Sequence, residues 1–384
     1  MITLFPAILC LLTVCSQASA SVATWDGGAG ESDPSWHTPS NWSDDTLPIV
    51  GDDVVFPNLG GRYNVEYDPE SKGAPLTLTL KNITQEASTS GLYLKSGTLG
   101  FSGNMECLNY NRLYVQGGTL DAAGPLQFLS GSGLTMSSGT LLQRSTMQFD
   151  SGSSLNMTGG LIQVDDVLTV NSSSVSISKG TIQISSTLTG TGVVIMGGFS
   201  PFEILSLIGD EAVLNMTGGG TIGIGAFSTI HISGTFTNQG SASLGGTLRF
   251  NDCTFNNAGS IQTIGFGAGA FEAEAGTNVL INRGSFQASS SPNSEPMAIK
   301  IPFVNKSGGT LAWNGPTFHD TVTNEAGAVI TGQNIDMNGG TLVNQGQITT
   351  GATEMNGNLS MSETSSLLFQ GKSISAVMPL WTAI

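Results

Sequence analysis

The chain has 384 residues, of which only 10% are charged, and its net charge is −16 at neutral pH. That acidity weighs against nucleic acid and anionic membrane surfaces as partners. No stretch after the first 20 residues reaches the roughly 18 apolar residues of a membrane span. Glycine, at 52 residues, is about twice its usual share. Regularly spaced apolar residues separate the chain from disordered sequences, which lack enough of them to fold.

In chain order, residues 1–20 read as a secretory signal. Ile8 to Val14 is apolar and Ser19-Ala20 suits a small-residue cleavage site, although Met1 to Pro6 carries no Lys or Arg. Residues 21–75 differ from the rest. They hold Trp25, Trp36 and Trp42, and between Ser21 and Glu70 there are ten acidic residues against one basic residue, Arg62. Such a segment suits an N-terminal cap, because an open solenoid end exposes strand edges and apolar rungs. The alternative is a sugar- or calcium-binding module built from the Trp and Asp residues. No Asp spacing here matches an EF-hand loop or the Gly-rich calcium nonapeptide.

The cap segment reads Trp25-Asp26-Gly27-Gly28, then Asn41-Trp42, then Pro48, then Gly51-Asp52-Asp53-Val54-Val55-Phe56. This pattern resembles the opening of secreted bacterial β-helix surface proteins of the autotransporter-passenger-like, adhesin-like kind. The resemblance spans about 32 residues and implies an exported right-handed β-helix of adhesive role.

From 76 to 384 the chain is expected to form one β-solenoid. Leu92 to Ile182 contains an eight-residue phrase five times, starting at Leu92, Leu113, Leu134, Leu155 and Val175. Each copy is apolar at positions one, three and eight and has Gly at position six. Alternation marks strands, and the Gly allows a turn. A further apolar pair recurs at the same period, as Met105/Cys107, Leu126/Phe128, Met147/Phe149 and Leu168/Val170. The prediction is an all-β, right-handed parallel β-helix of about 21 residues per coil, with three short strands in each coil. Leu92, Leu94, Leu99 and Cys107 each head an interior column.

Beyond Ile182 the phrase loosens. Leu214 to Ile222 begins 39 residues after Val175, close to two coils, and Thr221 is expected to continue the column of Thr98, Thr119, Thr140 and Thr181. A second phrase then carries Asn238, Asn257, Asn282, Asn305, Asn324 and Asn344. These could form a ligand row, or a structural series in turns or an internal ladder. Ala288 to Pro302, with Pro292 and Pro296, reads as a loop extruded from one turn. Ser366 to Ile384 is apolar and ends near Trp381, so either it folds over the last coil or the natural protein continues.

No residue is assigned a catalytic, cofactor-binding or metal-binding role, and no cofactor is expected. The Thr column has an irregular companion in Gly100, Asp121, Leu142, Gln163 and Gln183, unlike the paired Thr columns of ice-binding solenoids. Asp165-Asp166 invites comparison with β-helix hydrolases that use paired carboxylates, but no Gly-His-Gly or Arg-x-Lys accompanies it. His37, His231 and His319 lie singly. Cys107 and Cys253 stand about seven coils apart, too far for a disulfide, and Cys107 is expected to be a buried thiol. Seven Asn-x-Ser/Thr sequons, at Asn41, Asn82, Asn156, Asn171, Asn215, Asn305 and Asn358, match chance expectation. They make the chain a candidate glycoprotein only in a eukaryotic source.

The expectation is therefore a secreted, non-enzymatic solenoid, extracellular or at a cell surface. It would act as a structural, adhesive or matrix component whose partner is an extracellular polysaccharide or cell-surface glycan. The alternative is a carbohydrate-active β-helix, either polysaccharide-binding or a pectin-lyase-like enzyme.

Overall fold

The computed structural model describes residues 21–369 apart from 87–89, 151, 172, 178–180, 185–186, 191–192, 197–201, 208–212, 217–220, 225–227, 245–246, 264–269, 290–296, 351–354 and 362–365. Over 185–236 and beyond 350 it describes the backbone alone. Residues 1–20, the loop around Pro292 and Pro296, and the tail with Trp381 lie outside the described residues.

The chain is a parallel β-solenoid of about 21 residues per turn. Its regular coil is laid down by the eight-residue phrase. Gly91–Leu94 forms one strand, Thr98–Phe101 the second and Met105–Cys107 the third. The phrase's Gly sits between the first two, and Gly97, Gly118, Gly139 and Gly160 all have left-handed φ, from +66° to +91°. A Cβ at Gly118 would also stand 2.5 Å from the carbonyl oxygen of Gly97 in the coil before. Backbone conformation and coil contact thus both require glycine at this corner.

Each strand pairs with its counterpart one coil on. Leu92, Leu113, Leu134, Leu155 and Val175 stack in register. So do Leu99, Leu120, Leu141, Ile162 and Ile182, and so do Cys107, Phe128, Phe149 and Val170. All of these are buried. Phe128 and Phe149 stack face to face with centroids 4.8 Å apart, which is the spacing of neighbouring strands.

The ladder reaches further toward the N-terminus than residue 76. Asp53–Phe56 pairs with Asn82–Gln85, and Asn64–Tyr67 pairs with Gly91–Leu94. Val22–Thr24 lies on Asp53–Val55. These strands alternate buried and open positions but lack the Gly-Thr corner, so the phrase does not reveal them. Above them Trp25, Trp36 and Trp42 are almost fully buried. Trp36 packs edge-on to Trp42, Phe56 and Tyr67 at 4.9, 5.8 and 5.5 Å. The three indoles pack against Phe56 and Tyr67 at the N-terminal end of the coils.

In the second half the coil changes shape. Twenty-eight positions separate Val193 from its partner Thr221. Leu214 consequently stacks on Leu188, in the column of Leu168 and Met147, and not on the column of Val175. Thr221 falls on Val193 and Ser174, not below Thr181. The expected continuations of both columns are corrected by this longer coil. Further on, second and third strands fuse into long ones such as Ser228–Asn238 and Thr247–Asn257.

The asparagine series is an internal ladder. Asn238, Asn257, Asn282, Asn305, Asn324 and Asn344 are all fully buried. Each Nδ2 donates to the Oδ1 of the next, at 2.8, 2.7, 2.8, 2.9 and 2.7 Å. The same Nδ2 groups also donate to backbone carbonyls, for example Asn257 to Ser285 at 3.1 Å. Cys107 and Cys253 are both buried and neither is in a disulfide. Burial pushes the Cys107 thiol well above its ordinary value, which makes it unreactive. Among the described residues no helix is long and apolar enough to cross a membrane.

Candidate functional site

The cap is clipped together by the residues that carry the family resemblance. Trp25 N–H donates to the Val55 carbonyl at 3.0 Å, which fixes the indole over the first coil. The Asn41 carbonyl accepts from the N–H groups of Asp26 and Gly27 at 2.9 and 3.2 Å. Asn41 is fully buried. Its Oδ1 accepts from Ala29 N–H at 3.0 Å, and its Nδ2 donates to the carbonyls of Asp33 and Ser35 at 2.8 and 3.0 Å. Gly28 must be glycine, because a Cβ there would stand 2.3 Å from the Ser40 carbonyl oxygen. Asp52 ties Ser21 to the next loop: Oδ1 accepts from Ser21 N–H at 2.9 Å and Oδ2 from Ile49 N–H at 2.9 Å. The pattern is thus the hydrogen-bond plan of the cap, and the three tryptophans are core residues.

That plan leaves a cleft of about 560 Å³ at the rim of the cap. Trp25, Asp26 and Glu31 line one wall, and Leu59, Arg62 and Asn64 the other. The second wall is held by Tyr63, whose hydroxyl donates to the Pro57 carbonyl at 2.6 Å. Burial pushes that hydroxyl's pKa up to about 12, so it stays a donor at any working pH. Asp26 Oδ1 accepts from Gly28 N–H at 3.0 Å. Glu31, Arg62 and Asn64 are exposed and make no side-chain hydrogen bond or ion pair. Lys81, Lys95 and Arg144, by contrast, pair with Asp53, Glu66 and Asp121.

Beneath the rim lies an unpaired donor. Trp25 is 2% exposed and its Nε1 has no hydrogen-bond partner. A Cβ on Gly27 would stand 3.5 Å from that Nε1 and 4.0 Å from Leu59 Cδ1. The indole N–H therefore sits where these two cleft residues approach each other.

A smaller hollow of about 240 Å³ lies over Asp53, Asn82 and Glu106. Two of its polar side chains engage each other: Asn82 Nδ2 donates to Asp53 Oδ1 at 2.7 Å, and Asn82 Oδ1 accepts from Asn104 N–H at 2.7 Å. Asp165 and Asp166 lie in the turn after Leu161–Val164, where Asp165 Oδ1 accepts from Gln163 Nε2 at 2.8 Å. The structure does not bring either to the cleft. The register bears out the irregular companion of the Thr column. His37 rests on the Tyr67 ring at 5.2 Å, and His319 is exposed elsewhere. Among the described residues no three His, Cys, Asp or Glu side chains gather as a metal site would need. Of the sequons, Asn41 and Asn305 are fully buried and hydrogen-bonded, whereas Asn156 is exposed.

No family model, curated protein or solved structure matches this chain.

Proposed function

We propose that the protein is a secreted, non-enzymatic β-solenoid that serves as a structural or adhesive component outside the cell or at its surface. Its partner is an extracellular polysaccharide or a cell-surface glycan. The observation that carries this reading is the uncommitted cleft on a rigid support. A stack of parallel coils, spined by six hydrogen-bonded asparagines, holds at one end a cap whose rim presents free donors and acceptors. Sites on rigid elements lose little conformational entropy on binding. The acidic net charge weighs against polyanions, and the signal-like residues 1–20 and the resemblance to adhesin-like β-helix proteins agree with export.

A second reading, a carbohydrate-active enzyme, is favoured by the presence of two carboxylates, Asp26 and Glu31, in one cleft, since glycoside hydrolysis uses such a pair. One experiment separates the two. The purified protein is incubated with insoluble cellulose, xylan, mannan and pectin, and both bound protein and new reducing ends are measured. Binding without new reducing ends is expected. Reducing ends that accumulate with wild type and disappear with Glu31→Gln would replace the adhesive reading by the enzymatic one.

A further inference from the structure

We infer that the cleft between residues 26–34 and 59–64 binds the end of a neutral oligosaccharide, a proposal that rests on the adhesive reading above and gives its site. Four observations converge on a small uncharged polyol. The volume of about 560 Å³ lies in the range of roughly 300–1,000 Å³ found for small-molecule sites. That admits a few sugar units and no folded partner. The walls mix signs: Asp26 and Glu31 supply acceptors, while Arg62 and the Asn64 amide supply donors. An anionic ligand would face two carboxylates and a cationic one would face the guanidinium. A sugar hydroxyl both donates and accepts, so it suits both walls.

The uncommitted state of Glu31, Arg62 and Asn64 is the third observation. Arg62 is the one basic residue among ten acidic ones between Ser21 and Glu70, yet it makes no ion pair. The fourth is the Trp25 N–H. A buried donor left without an acceptor is costly and uncommon. A ligand oxygen entering between Gly27 and Leu59 would accept from it. Leu59 is 46% exposed and offers an apolar surface to the C–H face of a sugar ring.

Gly61 makes the proposal testable without disturbing the fold. Its φ is not left-handed, and a Cβ there meets no heavy atom within 4 Å. Gly61 lines the cleft, so a larger side chain can be added at its edge without a clash at Cβ. Wild type, Gly61→Trp, Arg62→Ala and Glu31→Gln would be titrated with cello-, xylo- and manno-oligosaccharides of two to four units, and with galacturonate oligomers of the same lengths. Thermal melting of each variant checks the fold. The expected result is binding of at least one neutral series by wild type, with a change in tryptophan emission as Trp25 gains an acceptor. Gly61→Trp and Arg62→Ala should weaken it at least tenfold with unchanged melting. Neutral binding that survives Gly61→Trp would overturn the cleft assignment and leave the adhesive reading standing. Preference for galacturonates would overturn the ligand class. No oligosaccharide binding by wild type would also overturn the proposal. Wild-type retention on the insoluble polysaccharides would then show whether the adhesive reading falls with it.

Discussion

Asn282 shows what one side chain does inside the coil stack. Its Oδ1 accepts from Asn257 at 2.7 Å, and its Nδ2 donates to Asn305 Oδ1 at 2.8 Å and to the Thr310 carbonyl at 3.0 Å. Replacing it by alanine strands a donor above and an acceptor below in a buried row. Leaving such groups unpaired costs about 1–3 kcal/mol each, so Asn282→Ala should lower unfolding free energy by about 3 kcal/mol or more. A shift in urea midpoint equivalent to less than about 1 kcal/mol would mean that the row is not continuous. His37 gives a second test at this scale. Burial holds its pKa below the ordinary value, with Asp68 opposing and Lys72 adding to the shift. The unfolded chain then takes the proton more readily. The stability tied to the neutral imidazole is present above pH about 6.5 and is lost as pH falls below that value. Between pH 7.5 and 5.5 the wild-type Tm should fall faster than that of His37→Gln, and equal slopes would refute the assignment.

At the scale of elements, the cap and the asparagine row were legible to different degrees. Leu92 to Ile182 was readable because successive coils repeat the same constraint, a left-handed glycine at 97, 118, 139 and 160 beside interior aliphatic residues. The tryptophans of the cap were readable because an open end needs large apolar cover. Trp36 touches Trp42, Phe56 and Tyr67, and Trp36→Ala should cost about 3–5 kcal/mol. A variant that melts as wild type would show the first coil to be covered by something else. The placements of Leu214 and Thr221 failed because the coil from Val193 to Thr221 is longer than the phrase allows. The cleft was legible only as the alternative of a sugar- or calcium-binding module built from Trp and Asp residues, two of which, Trp25 and Asp26, line it. Glu31, Arg62 and Asn64 carry no motif, and they come together only when Asn41 and Asp52 have closed the cap. The asparagine row was legible as a series but not in its limits. Its column continues Cys107, Phe128, Phe149 and Val170 at the far side, and Met216 occupies the register position before Asn238. Asn238 Oδ1 has no hydrogen-bond donor.

For the whole molecule, the proposed function divides stability and recognition along the axis. The body is a sum of coil-to-coil interfaces, with its thiols buried and its surface ion pairs exposed enough to contribute little. The sides offer mostly uncharged rows: Tyr93 stacks on Tyr114 at 4.3 Å, followed in register by Thr135, Asn156 and Ser176. The cap brings the unpaired Glu31, Arg62 and Asn64 into one cleft. Hydrogen exchange with and without a saturating neutral tetrasaccharide tests that division most directly. The account predicts slowed exchange in segments 25–34 and 59–64, with the coils from 92 to 177 unchanged. Slowing centred on the side rows around 93–114 or 135–156, with the cap unaffected, would contradict it.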